Sequence, residues 1–115
     1  MEQLNRIELK GAVGSVRIRQ VEEKNVASIS LVTNFAYKNK DGEPVIEETW
    51  HNIVAWEGKG VMKLDDIRKG YPLHVIGRQR THRVTGSDGQ ERMMPEVLAY
   101  KVQALQTDGQ LQCEM

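Results

Sequence analysis

Residues 49–73, Thr-Trp-His-Asn-Ile-Val-Ala-Trp-Glu-Gly-Lys-Gly-Val-Met-Lys-Leu-Asp-Asp-Ile-Arg-Lys-Gly-Tyr-Pro-Leu, decide how this chain reads. The first eight alternate as a strand does: Trp50, Asn52, Val54 and Trp56 fall on one side, with Glu48 before them, and Thr49, His51, Ile53 and Ala55 on the other. Gly58 and Gly60 stop the strand. Val61, Leu64 and Ile67 then recur at three-residue spacing, which predicts one short helix. Arg68 and Lys69 fall in its last turn, where cations suit the helix dipole. Gly70 suits the C-cap, and Pro72 prevents continuation before Leu73 opens the next strand.

Working outward, the same punctuation divides the rest. Leu4 to Val21 carries Ile7, Leu9, Val13, Val16 and Ile18, interrupted by Gly11 and Gly14, and glycines inside a strand pattern predict a bulge or sharp bend. Val26 to Tyr37 alternates Ile29, Leu31, Thr33, Phe35 and Tyr37 against Ser28, Ser30 and Asn34. Asp41-Gly42 is a hairpin signal, and the third strand runs from Val45 to Trp56. A fourth strand covers Leu73 to Val84, Gly86 to Gly89 turns the chain, and a fifth runs from Arg92 to Leu105. Three strands, one helix and two strands is the order of an all-β, five-stranded OB-fold barrel with one short helix between strands 3 and 4. Residues 1–105 are read as that single domain, and 106–115, which lack periodicity, as a short flexible C-terminal end.

Composition sets the bounds. Apolar residues make up 39% and charged residues 28% of 115 positions, which suits one globular domain. No apolar run approaches a membrane span. No basic-then-apolar leader is visible, so a cytoplasmic protein is expected. Cys113 is the single cysteine and permits neither an internal disulfide nor a cysteine-rich zinc site. Lys and Arg number 16 against 16 Asp and Glu, so attraction of nucleic acid must come from a local concentration of cations.

Two groups of residues carry such a possibility. Trp50 and Trp56 project from one side of the third strand, and Tyr37 sits at the mouth of the first hairpin beside Lys38 and Lys40. Tryptophan usually buries most of its surface, so a core placement competes with an exposed one. The polar residues interleaved with the pair favour exposure, where flat rings stack on bases of any identity. On the fourth strand His74, Ile76, Arg78, Arg80 and His82 share one face, with Arg83 and Arg92 on either side of the second turn. That is a cationic stripe of the kind that tracks phosphates, although an ordinary solvated strand face would look similar. Enzyme chemistry finds no footing. Asp65 and Asp66 are adjacent and point apart on a helix, and His51, His74 and His82 lack metal-ligand spacing, so no catalytic residue, metal or cofactor is expected.

The assembled residues resemble the bacterial single-stranded DNA-binding protein family over about Asn5 to Leu105. The resemblance is carried by Asn5 to Gly11, Ser30 to Asn34, Lys40 to Glu43, Thr49 to Trp56, Ile67 to Gly70, Gly77 to Thr81 and Asp88 to Arg92, in that order and spacing. It implies a sequence-non-specific protein that protects single-stranded DNA in replication, recombination or repair, associated with the bacterial nucleoid. It implies stacking by Tyr37, Trp50 and Trp56 and phosphate contacts by Lys38, Arg80, Arg83 and Arg92, to which the stripe on the fourth strand adds Arg78. Val84 stands where the family carries a last aromatic. The family's usual homotetramer places His51 at a subunit contact, as a structural residue. The chain ends Leu111 to Met115 without the family's linker and acidic tip, so recruitment of partners through a tail is not expected. The chain is more weakly similar to the tailless, dimeric primosomal replication protein B. An OB module used mainly for protein assembly is the competing reading, and stacking alone does not separate DNA from RNA.

Overall fold

The computed structural model describes residues 2–105. The expected flexible end at 106–115, with Cys113, lies outside the described residues. Five strands form: β1 (Ile7–Val21), β2 (Lys24–Lys38), β3 (Pro44–Trp56), β4 (Pro72–Thr85) and β5 (Glu91–Ala104). They close a barrel in the order β1-β2-β3-β5-β4. All neighbours are antiparallel except β3 and β5, which meet in parallel from Ile53 opposite Val97 to Ala55 opposite Ala99. Each expected strand is present, with ends shifted by at most three residues.

The period of two puts one face of every strand inside. Ala27, Ile29 and Leu31 of β2, Ile53 and Ala55 of β3, and Leu73 and Val75 of β4 fill the core with Val97, Ala99 and Val102 of β5. In β1 the register slips between Val13 and Ser15, so Gly14 is the extra residue of a bulge, and inward positions change from Leu9 and Val13 to Val16. A second slip sets Ile76 against Lys101 and Gly77 against Ala99, which makes Tyr100 the extra residue in β5 and moves the inward set from Ala99 to Val102. β1 serves both neighbours: its first part pairs with β4, and Ala12 hands over to β2 opposite Val32. At this corner the backbones crowd. A side chain at Gly11 would put its Cβ 2.2 Å from the Val32 carbonyl oxygen.

The helix between strands 3 and 4 shrinks to a single 3-10 turn, Leu64–Asp66. Every-third spacing suits such a turn equally well, and β5 claims the backbone on its N-terminal side. Val61 bridges to Val102, Met62 N donates to Val102 O at 2.8 Å, and Val102 N donates to Gly60 O. The few residues left are too short to repay helix nucleation. Leu64 and Ile67 are still buried and cap one end of the barrel. Arg68 and Lys69 therefore lie beyond the turn rather than in a helix, and Gly70, at φ +85°, serves a tight turn closed by Tyr71 N donating to Arg68 O.

β2 and β3 continue past the barrel as a two-stranded ribbon, since β2 beyond Val32 has no β1 partner and β3 before Ile53 has no β5 partner. β4 and β5 do the same from Thr81 and Pro95 outward. The β2–β3 tip is tied by Asn39, whose Oδ1 accepts from Asp41 N at 2.9 Å and Glu43 N at 3.0 Å. The β1–β2 turn is less suited to its residues. Glu22 and Glu23 both hold positive φ, 50° and 74°, where Asn-Gly is the usual pair. Replacing them as Glu22→Asn with Glu23→Gly is expected to raise stability by about 1–2 kcal/mol, because a side chain in this region is strained by about that amount. A thermal melt checks it, and an unchanged or lower midpoint refutes the strain.

Candidate nucleic-acid interface

The site is built on the outward row of β3. Ile53 and Ala55 point in, so their neighbours point out. Trp50 is 53% exposed and Trp56 38%, with exposed Asn52 and half-buried Val54 between them. Neither indole is sealed in the core. Six residues along a strand separate them by about 20 Å. Trp50 rests on the β1 bulge: a Cβ on Gly14 would fall 2.3 Å from Cζ3 of its ring. Its Nε1 donates to Glu48 Oε1 at 3.2 Å. Thus the missing side chain of Gly14 and the carboxylate of Glu48 both orient this ring.

The row broadens across β2, where Ser28 faces Val54 and Ser30 faces Asn52. These four residues floor a cleft of about 260 Å³ whose other wall is the base of the β4–β5 ribbon, with Val84 and Met94. The wall was missed from sequence. Val84, Met94 and Pro95 give it an apolar surface beside Glu96, and nothing local says that the second ribbon folds back toward β3. Val84 lines this cleft where an aromatic was the family expectation.

Tyr37 stands apart from the tryptophans. Residues opposite one another across a ladder share a face, and Tyr37 lies opposite Val45, two pairs from Glu47 and four from Thr49, whereas Trp50 lies opposite Val32. The two rings therefore leave the β2–β3 ribbon from opposite faces. Lys38, opposite Pro44, shares the Trp50 face. Tyr37 instead keeps company with Phe35, their ring centroids 6.0 Å apart.

The expected cationic stripe is more neutral than its composition suggests. Leu73, Val75 and Gly77 point inward as expected, and the opposite face carries His74, Arg78, Arg80 and His82, with Ile76 buried among them. Arg80 Nε donates to Glu96 Oε2 at 2.7 Å, and that carboxylate side chain is only 11% exposed. Arg83 lies 3.9 Å from Glu91 and Arg92 3.2 Å from Asp88, both pairs open to water. His74 Nε2 sits 2.6 Å from Glu8 Oε2, and this hydrogen bond, helped by the charges of His74, Arg6 and Lys10, outweighs desolvation and holds the Glu8 carboxyl below the usual carboxylate range. Among the described residues, Arg78 and Lys38 form no ion pair.

His51 points away from the tryptophans. Its Nε2 is hydrogen-bonded to Thr33 Oγ1 at 3.0 Å, and burial holds its pKa below the ordinary imidazole value. Asp65 and Asp66 are both exposed. Among the described residues no three His, Cys, Asp or Glu side chains come together to hold a metal ion. No helix among them is long and apolar enough to cross a membrane.

Comparison with known proteins adds to this geometry. The model of the single-strand binding protein family matches residues 4–105. A single-stranded DNA-binding protein of Xylella fastidiosa is 34% identical over 80 residues, covering 70% of this chain and 49% of that protein. One from Xanthomonas axonopodis pv. citri is 28% identical over 104 residues, covering 89% of this chain and 58% of that protein. The chain thus spans about half to three-fifths of the length of these two relatives. Among solved structures, a Plasmodium falciparum SSB in complex with ssDNA superposes with a TM-score of 0.78 at 27% identity, over 92% of this chain and 98% of that one. A Thermus aquaticus single-stranded DNA binding protein shares the fold, with a TM-score of 0.76 at 20% identity over 92% of this chain and 52% of that one.

Proposed function

The chain belongs to the single-strand binding protein family, and on that premise we propose that it binds single-stranded DNA without reading sequence and shields it during replication, recombination or repair. One observation carries the proposal: Trp50 and Trp56 stand open on a single outward row of β3, beside the cleft that the β4–β5 ribbon walls. Exposed rings give ~1–3 kcal/mol per stacked base and tolerate any base. In this reading Trp50, Trp56 and Tyr37 stack, and Lys38, Arg78, Arg83 and Arg92 meet phosphates. Arg80 lies on the same track, but its bond to the nearly buried Glu96 keeps it in the wall. The proposed activity is binding, with no chemical step. A homo-oligomer of barrels, with the His51 face at a subunit contact, and an intracellular location with DNA complete the reading. The likeness to a family of single-strand binders over 4–105 favours this over a primosomal-type or assembly-only module.

The ion pairs set the expected salt dependence. Lys38 and Arg78 are available outright, and the exposed pairs of Arg83 and Arg92 cost under ~1 kcal/mol each to open. About four phosphates neutralised on one strand give a slope of log affinity against log salt of roughly −3 per barrel. Titration of the protein with oligo-dT at several salt concentrations, followed by tryptophan emission, tests both parts. Emission falls on binding, the slope lies near −3, and Arg80→Gln leaves the slope as it was. Unchanged emission at low salt defeats the proposal.

A further inference from the structure

Phe35 and Tyr37 form a feature that the reading above uses only in part. They are two residues apart on β2 and so point the same way, with ring centroids 6.0 Å apart and ring planes 31° from parallel. Phe35 is 64% exposed and Tyr37 42%, although aromatic rings ordinarily bury their area. Neither belongs to the core cluster or to the partly buried set packed on it. Both lie on the ribbon beyond the last β1 contact, with Glu47 and Val45 opposite them.

From this pair we propose a two-ring clamp that takes one unpaired nucleobase between Phe35 and Tyr37, making Phe35 a further nucleic-acid-binding residue. The proposal rests on the single-strand binding reading and extends it to the other face of the ribbon. The spacing is what recommends a clamp over two separate platforms. A centroid distance of 6.0 Å is that of two rings in tilted contact, so a base held on both sides at the ~3.4 Å spacing of stacked planes needs them to part by about 1 Å, which rotation of two exposed side chains supplies. A wider pair would touch the base on one side only. The ribbon is also stiff enough to keep the two backbone positions fixed while the rings part, since the β2–β3 ladder runs unbroken to Lys38 opposite Pro44 and Asn39 ties the tip. The Glu47 carboxylate opposite Phe35 repels phosphate, which leaves the base toward the rings and turns the backbone outward from the ribbon.

A mutant cycle read by anisotropy of labelled oligo-dT tests the clamp. Phe35→Ala is expected to weaken binding by about 5- to 100-fold, the range for one stacked base, and Phe35→Tyr to restore it. Because both rings hold the same base, Phe35→Ala with Tyr37→Ala together should cost little more than either alone. The melting midpoint stays near that of the parent, since Phe35 lies outside the core. If the losses simply add, the rings are independent platforms and the clamp is wrong. If Phe35→Ala binds as the parent does while Trp50→Ala loses affinity, the clamp alone is wrong. If the parent protein itself fails to bind oligo-dT, the clamp falls together with the reading beneath it.

Discussion

Replacing Trp50 and Trp56 together by alanine is expected to weaken binding to oligo-dT by on the order of a thousandfold. Each stacked base contributes ~1–3 kcal/mol, so two contribute about 2–6 kcal/mol, and 4 kcal/mol is roughly three decades in affinity. The two sites are about 20 Å apart along β3, far enough that their effects should add. The loss should be the same within a few-fold for different base sequences, since a ring face reads none of the groups that distinguish bases. Folding should survive, since neither side chain belongs to the core cluster, but the area each indole still buries costs some stability, so binding is compared at a temperature where a melt shows both proteins folded. Labelled-oligonucleotide anisotropy is the measurement, as the variant has no tryptophan left to report. A loss under about fivefold, or one confined to particular sequences, contradicts the stacking role.

The second large effect is on stability. Gly11→Ala is expected to lower the stability of the fold by about 3 kcal/mol, the upper end for inserting a methyl group into a packed site. The reason is what the new Cβ meets: the Val32 carbonyl oxygen at 2.2 Å and its carbon at 3.1 Å, both backbone and both fixed by the β1–β2 ladder. Nothing there can swing aside, so the barrel corner itself has to open. The melting midpoint should fall by roughly 10–25 °C. Gly14→Ala is the internal control. Its Cβ meets the Trp50 ring, a side chain able to rotate, so it should melt close to the parent while displacing the ring. If Gly11→Ala melts no lower than Gly14→Ala, the close approach at the corner is not a constraint on folding.

The strands and the site differ in how far their residues disclose them. Ser28, Ser30 and their apolar neighbours set the face of β2 by themselves, and the row from Trp50 to Trp56 declares its direction through the apolar Ile53 and Ala55 behind it. Gly14 marks its bulge because a bulged residue tolerates glycine well. Tyr100 marks the other bulge with no such hint, since an exposed tyrosine there looks like any outward strand residue. The spacing of Val61, Leu64 and Ile67 points to a helix because it does not register Val102, a partner some forty positions away that takes the backbone bonds a helix would need. Charge is the least legible. The arginines of β4 look free when read along one strand, and their partners arrive from β5: Arg80 meets Glu96 only because those two residues face each other across the ladder. The opposite outlook of Tyr37 and Trp50 likewise needs the register, which the length of the Asn39 to Glu43 turn fixes.

Closing the barrel removes free strand edges only around its waist. Along the two protruding ribbons, β2 beyond Val32, β3 before Ile53, β4 beyond Gly77 and β5 before Val97 each show one side of bare amide and carbonyl groups. Such a side is a template on which another chain can lay a strand and begin to aggregate. Pro44 starts one of these edges and Pro95 interrupts another, and each deletes an N–H that an incoming strand would require. The colloidal risk of this molecule is thus concentrated in its two protruding ribbons, and two prolines are the guards posted there.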